Sequence, residues 1–558
     1  MKRTRILACL LALAGATSAL AAALPHRTAL DDYVDAHDSS YAWRVVSTST
    51  ADDGSRSVIV DLVSQRWLTD ADVDRTEWQH WLALSIPATV SSETGMLFIG
   101  GGRNGREPPT EASARVAGIA KATQTVVAEL GTVPNQPLVV HGDGNPRSED
   151  DLIGYAWDQY LESGDPRWAP RNAMVKSAVR AMDTVTAVMA SEVGGQAVVD
   201  RFVVAGGSKR GWTTWLTGAV DPRVVAIIPI VIDVVNVDPS MRHHFAAYGF
   251  WAPSVGNYVD HGIMARMDHP RLAELYRLVD PYFYRHRLTM PKLVLNATGD
   301  QFFLPDSSRF YWDDLRGENY LRYVPNADHG LDGSDAVETM VAFHTLMAAG
   351  IKPPQYSWST ASDGTLRVLA QTQPREVRLW QAHNPEARDF RVETIGRAYT
   401  STPLLPAADG LYVVEPPEPA SGWTAWFVEL TFDVAAATPL KLTTSVTVTP
   451  DTLPFAAKPS GLPTSVTLVC RAPSDAAASE IGEAVAILDE PGIATDGLSA
   501  SAIDDRLFVN WTPAGDLTAG ARAIAGVLAE QGCMQPTYQL ESGPGATLPP
   551  LEAPRPDQ

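Results

Sequence analysis

The stretch RFVVAGGSKRGWTTWLTGAVDPRVVAIIP, Arg201 to Pro229, decides how the chain is read. An apolar run ends in Gly206 and Gly207, Ser208 follows, and helical spacing begins with KRGWTTWL. A serine held between strand and helix sits in a strained turn with its hydroxyl outward, and flanking glycines let the backbone make that turn. The first turn of the helix also aims N–H groups at any anion formed beside the serine. The pattern is a nucleophile elbow with one departure from G-x-S-x-G: Arg210 stands where the second glycine belongs, and Gly211 comes one place later. A plain glycine–serine connector is the competing reading, so the serine must find partners elsewhere.

Outward from this stretch, short apolar segments alternate with helical ones. YAWRVVSTST, RSVIVDLVSQRW and HWLALSIP open as strands, and TGMLFIGGGRNG is a buried strand running into glycines. EASARVAGIAKATQTVVAEL has helical spacing, QPLVVHGDG returns to strand character, and NAMVKSAVRAMDTVTAVMASEV is helical again. VVAIIPIVID, PKLVLNATGD and NYLRYVPNADHG supply three further strands. This alternation predicts a doubly wound, mostly parallel α/β sheet over 24–354, covered on both faces. Insertions at 143–171 and 233–288 leave the carboxyl ends of strands, where ligands of open α/β sheets bind, and are candidate lids.

A serine hydroxyl needs a base to take its proton and a third group to orient that base. Asp300 follows the strand PKLVLNA by a short turn, and His329 follows the next strand in a glycine-containing loop. Ser208, Asp300, His329 is the chain order of α/β hydrolases. Asp306 and Asp328 compete with Asp300, but Asp306 reads better as the N-cap of SSRFYWDDL and Asp328 adjoins the histidine. An oxyanion site needs two backbone donors. Lys209 supplies one, and the glycine loop after the third core strand, at Gly101, Gly102 or Arg103, supplies the other. Trp157, Trp168, Trp251 and Tyr258 in the insertions are candidate pocket walls. Arg210 either packs in place of a glycine or bears on an anionic substrate.

GGSKRGWTTWLTGAVDPRVVAIIPIVIDVVN, MVKSAVRAMDT, LNATGDQFFLPDSSRFYWDDL and VPNADHG together resemble the PhoPQ-activated pathogenicity-related protein family over most of residues 30–350. The resemblance implies an α/β-hydrolase-like fold and places its triad on Ser208, Asp300 and His329. The family is named for its regulation, so the name carries no substrate. The serine segment is also similar to that of bacterial glucuronoyl esterases, where an Arg follows the nucleophile. Here the order is Lys209, Arg210, Gly211, and a uronoyl-ester substrate does not follow.

Lys and Arg number 44 against 65 Asp and Glu, a formal charge of −21 with the basic residues scattered, which excludes a nucleic-acid-binding surface. Residues 1–23 read as a signal peptide, with a basic start, an apolar run from Ile6 and small residues at Ala21–Ala23. A membrane anchor is the competing reading, but the apolar run is short, and nothing later reads as a span. An exported chain meets an oxidising compartment, where Cys470 and Cys533 are expected to pair, with two buried free thiols as the competing reading. A loop of about 63 residues closed in this way contributes roughly 4 kcal/mol.

Past Pro354, short alternating segments predict a β-sandwich over 355–450, then a small ferredoxin-like α+β module over 451–542 and a disordered tail at 543–558. His243 and His244 are adjacent and lie on different helix faces, and no HExxH, CxxC or phosphate loop is present, so no metal or cofactor is expected. The chain is therefore expected to be a secreted or periplasmic serine hydrolase acting on a small-molecule, peptide or carbohydrate ester or amide. A serine peptidase, with the acidic SEDD as an anchor, is one alternative. The other is a secreted binding or signalling protein on the same scaffold.

Overall fold

The computed structural model describes residues 27–456, 465–471, 499–503, 506–511 and 534–541, with the single positions 524 and 528. The expected signal peptide at 1–23, the expected tail at 543–558, most of the module read over 451–542, and Cys533, the expected partner of Cys470, lie outside the described residues.

Strands that are apolar at successive positions must be covered on both faces. Val203 and Ala205 join one apolar cluster, while Phe202 and Val204 join the other. They belong to a nine-stranded sheet built from β1 (Ala42–Thr50), β2 (Arg56–Arg66), β3 (Glu77–Ile86), β4 (Thr94–Ile99), β5 (Val127–Leu130), β8 (Arg201–Gly207), β9 (Val224–Ile230), β10 (Lys292–Ala297) and β11 (Asn319–Val324). The order is β1-β2-β3-β5-β4-β8-β9-β10-β11. Pairing is antiparallel as far as β3–β5 and parallel from β5–β4 onward. This is the α/β-hydrolase arrangement.

Helices α1 (Ala29–Asp35), α4 (Pro170–Ala190) and α5 (Lys209–Val220) supply Leu30, Met174 and Trp215 to one face. On the other, α2 (Ala114–Thr123) and α9 (Ala336–Ala348) supply Ile119 and Phe343. The first insertion carries α3 (Glu149–Ser163), and the second carries α6 (Val237–Tyr248), α7 (Gly256–Asp260) and α8 (Pro270–Val279).

Two element readings are corrected. The end of EASARVAGIAKATQTVVAEL is strand: Gln124 turns left-handed at φ 53° and closes α2, after which β5 pairs with both β3 and β4. QPLVV is no core strand, because β6 (Leu138–Val139) pairs only with β7 (Pro146–Arg147) in a small ribbon.

After α9 come two antiparallel sheets. One is β12 (Tyr356–Thr360), β13 (Leu366–Ala370) and β16 (Leu411–Val414). The other orders β15 (Thr400–Pro403), β14 (Glu376–Asn384), β17 (Trp423–Phe432) and β18 (Leu440–Thr443), with β19 (Thr447–Thr449) also on β17. Val368, Tyr412, Val428 and Leu430 from these sheets share one apolar cluster with Met340 and Phe343 of α9. A last antiparallel sheet runs Ser499–Ile503, Arg506–Trp511, Ser465–Arg471, Met534–Glu541 in spatial order. Among the described residues no helix is long and apolar enough to cross a membrane.

Candidate active site

Ser208 sits between β8 and α5 at φ 56°, ψ −126°, a conformation that non-glycine residues rarely hold and that marks stored strain. Its N–H donates to the Ile230 carbonyl at 2.8 Å, which pins the turn to the neighbouring strand. The displaced glycine of the motif has a clear packing role. A Cβ at Gly211 would lie 2.9 Å from the carbonyl oxygens of Gly206 and Ile230 and from Ile232 Cγ2, and one at Gly206 would lie 2.8 Å from the Arg210 carbonyl. These two glycines let α5 approach the sheet, whereas Gly207 faces open space.

Asp300 is buried in the turn after β10 and His329 lies in the loop after β11. His329 Nδ1 stands 2.8 Å and 3.0 Å from the two Asp300 carboxylate oxygens, and the Phe302 N–H donates to Asp300 at 2.7 Å. The pairing sets the tautomer: Nδ1 carries the hydrogen and Nε2 is left basic. Nε2 is buried and has no hydrogen-bond partner among the described residues. The ring is held by Phe302, whose centroid is 4.3 Å away, and by Phe303 at 6.2 Å.

The competing acids are engaged elsewhere. Asp328 accepts from the Gly330 N–H at 3.0 Å. Asp306 takes the N-cap position but makes no cap bond, which corrects the helix-cap reading. Instead it meets Arg388 at 2.7 Å and His243 at 3.0 Å. Burial pushes its carboxyl up, but the Arg388 charge and the hydrogen bond from His243 overcome this and hold it well below the ordinary carboxylate range.

The glycine loop faces the elbow. Its carbonyls turn away toward 132–136: Gly101 O accepts from Thr132 N–H at 2.8 Å and Gly102 O from Gln136 Nε2 at 2.9 Å. The N–H groups of Gly101, Gly102 and Arg103 make no hydrogen bond among the described residues, and the Arg103 side chain is exposed. The Lys209 N–H, at the first position of α5, lacks an intrahelical acceptor. Arg210 fixes the loop. Its guanidinium donates to Val133 O and to Glu149 Oε1, both at 2.5 Å, and a Cβ on Gly101 would come within 2.8 Å of its Nη2. Of its two expected roles, packing describes this structure: Arg210 does not reach the pocket wall.

The two insertions pack onto each other. Tyr258 OH donates to Asp150 at 3.0 Å, His261 meets Asp151 at 2.8 Å, and Trp157 packs edge-on against Tyr276 and Trp212 and tilted against Tyr258. Beneath them a pocket of about 540 Å³, mouth included, is walled by Ser208, Lys209, Trp212, Ile232, Met241 and Phe302 among others. Small-molecule sites span roughly 300–1,000 Å³. Trp157 and Tyr258 line the pocket. Trp251 packs on His244 and Phe245, and Trp168 on Trp67 and His141, so neither is a pocket wall.

Three lining groups carry charge: Asp150, from the SEDD stretch read as an anchor, and Arg171 and the side chain of Lys209, which the sequence did not place here. The Lys209 ammonium is buried, 2.8 Å from Glu149 and 3.0 Å from Asp150. Burial pushes the Glu149 carboxyl up, but the Lys209 and Arg210 charges dominate and bring it down to about 2. The histidine pair serves structure. The Ala252 N–H donates to His244 Nε2 at 3.0 Å, and burial pushes that imidazole down to about 3. Among the described residues no group of three His, Cys, Asp or Glu could hold a metal ion.

The family described as PhoPQ-activated pathogenicity-related protein matches residues 30–391. Autocrine proliferation repressor protein A of Dictyostelium discoideum is 35% identical over 458 residues, 77% of this chain and 92% of that protein. Among solved structures, acetyl xylan esterase 1 from Thermoanaerobacterium sp. is 13% identical with a TM-score of 0.38, covering 54% of this chain and 88% of its own. A glucuronoyl esterase from Solibacter usitatus is 16% identical with a TM-score of 0.32, covering 56% of this chain and 87% of its own.

Proposed function

The chain belongs to the PhoPQ-activated pathogenicity-related protein family, and from the geometry it presents within that family we propose that it is a serine hydrolase cleaving an ester or amide. One observation carries the proposal: an imidazole oriented by a buried carboxylate keeps its Nε2 free, at the same end of the sheet where Ser208 opens onto a pocket. Ser208 Oγ attacks the carbonyl carbon and its proton passes to His329 Nε2. Asp300 holds the ring and stabilises the imidazolium. The Lys209 N–H and an N–H of the Gly101–Arg103 loop stabilise the oxyanion. The imidazolium then protonates the leaving group, and water, deprotonated by the same nitrogen, releases the acid.

A fluorophosphonate probe tests this directly. The whole protein is expected to be labelled, and Ser208→Ala to abolish labelling while the fold persists by circular dichroism. Labelling that survives in Ser208→Ala, or an unlabelled native protein, overturns the reading. Parallel p-nitrophenyl acyl esters and aminoacyl anilides separate esterase from peptidase. The basic, apolar and small-residue pattern at 1–23 supports export to the periplasm or beyond.

A second reading is a secreted signalling or binding protein on this scaffold, favoured by the description of the Dictyostelium relative as an autocrine proliferation repressor. A biological effect that persists undiminished in Ser208→Ala would support that reading over turnover.

A further inference from the structure

The polar end of the pocket holds more positive charge than the chain itself neutralises. Arg171, the first full turn of α4, is 1% exposed and lines the cavity beside Ser208. Nearby stand Lys209 and Arg210 and the carboxylates Glu149 and Asp150. Glu149 is taken by Lys209 and Arg210, and Asp150 by Lys209 and the Tyr258 hydroxyl. Arg171 receives neither. It donates from Nη1 to the Lys209 carbonyl at 3.0 Å and stacks over Trp212 at 4.5 Å, while its Nε is buried without a partner among the described residues. No carboxylate lies within ion-pair distance of it among the described residues. Burial pushes this guanidinium below its ordinary value, yet a guanidinium stays protonated in proteins. The remaining walls, including Trp212, Ile232, Val237, Met241 and Met264, are apolar. A buried, uncompensated cation at one end of an apolar chamber is costly when empty and favours an anion that enters with an apolar stem.

We propose that Arg171 anchors a carboxylate of the substrate, so that the bond attacked by Ser208 belongs to a molecule with an apolar arm ending in a negative charge. The inference rests on the hydrolase reading above. Planar carboxylate geometry suits the guanidinium fork, and Nη1 is the nitrogen of Arg171 for which a hydrogen bond to the chain is seen among the described residues. The carboxylate can belong to the acid, as in a hemi-ester of a dicarboxylic acid, or to the leaving group, as in an acylated hydroxy acid or a peptide C-terminus.

Matched substrates test the proposal in two arms. The first compares p-nitrophenyl hemi-esters of aliphatic dicarboxylic acids with their methyl-capped counterparts. The second compares O-acetyl hydroxy acids and N-acyl dipeptides with their methyl esters and amides. In the arm that fits, the free carboxylate is expected to raise kcat/KM about tenfold to a hundredfold, the worth of a charge-assisted hydrogen bond. That ratio falls to near unity in Arg171→Met. Should Arg171→Met not fold, Arg171→Gln keeps a donor for the Lys209 carbonyl, removes the charge, and is expected to lose the ratio as well. A ratio near unity in both arms of the native protein, or one that survives loss of the charge, overturns the proposal. Calorimetry with the same hemi-esters on Ser208→Ala separates the two readings. Carboxylate-dependent binding that needs Arg171, without turnover in the native protein, upholds the anchor and sinks the hydrolase. Turnover of neutral esters with no carboxylate preference does the reverse.

Discussion

Arg210 shows how one side chain can break a motif and still serve it. At the place where the elbow pattern has glycine, its side chain leaves the helix, crosses to the Gly101 loop and is held by Val133 O and Glu149. Arg210→Ala removes that brace and leaves the Glu149 carboxylate with one cation fewer. The expected result is a loss of about 10²-fold in kcat, the scale of losing one oxyanion donor, with KM less affected. Steady-state kinetics on any ester found to turn over checks it; an unchanged kcat would return Arg210 to a passive packing role. The candidate nucleophile, acid and base were legible at this scale, because each follows a strand end in the required chain order. Arg171 was not, since nothing local distinguishes it from an ordinary helix-opening arginine.

At the scale of elements, α5 is set by how closely it can lie on the sheet. Both Gly206 and Gly211 occupy contacts too short for a Cβ against backbone atoms that cannot swing aside. Gly211→Ala is therefore expected to destabilise the fold by about 1–3 kcal/mol, despite alanine's better helix propensity. A urea titration that shows equal or higher stability would contradict the close-approach account. The same scale explains the misread β5. Four residues directly behind a helix carry too little alternation to announce a strand, and the left-handed Gln124 that separates the two is an exposed polar residue rather than the usual glycine. The helical segments over the pocket were legible as insertions. Which aromatics face the cavity was not, because Trp157 and Trp251 are equally apolar in sequence and differ only in which neighbours they meet.

At the scale of the molecule, the segment between β14 and β15 reaches back under the candidate site. The Val392 N–H donates to Gly299 O at 3.0 Å, next to Asp300. Arg388, fully buried, meets Asp306 on the same loop at 2.7 Å. Asn326, three residues before His329, exchanges two 2.8 Å hydrogen bonds with the Tyr399 backbone. Arg322 of β11 also meets Glu429 of β17 in a buried ion pair. A chain ending at Pro354 is thus expected to lose the folded site, read as absence of fluorophosphonate labelling and of a cooperative melt. A soluble fragment labelled like the whole chain would refute this.

Asp233 ties the stability of the whole fold to pH. Burial pushes its carboxyl up to about 7, although the Tyr311 and Tyr323 hydroxyls donate to it. A carboxyl whose folded value is raised keeps its proton when the unfolded chain has lost one. Its contribution is full below about pH 4 and is lost as pH rises through about 7. Asp233→Asn should remove that slope, so the variant loses less stability than the native protein between pH 5 and pH 8. Parallel denaturation curves at the two pH values, unchanged by the mutation, would exclude it.

The α/β alternation, the elbow at Ser208 and the order in which acid and histidine follow were all readable along the chain, because strand period, glycine conformational freedom and chain order are local properties. Tertiary structure alone decided that Arg171 stands without a carboxylate in the pocket, that Arg210 braces the glycine loop, and that the residues past β14 support the acid and histidine loops. Each of these depends on the burial and charge that distant segments bring together, and neither quantity is a property of any one stretch of chain.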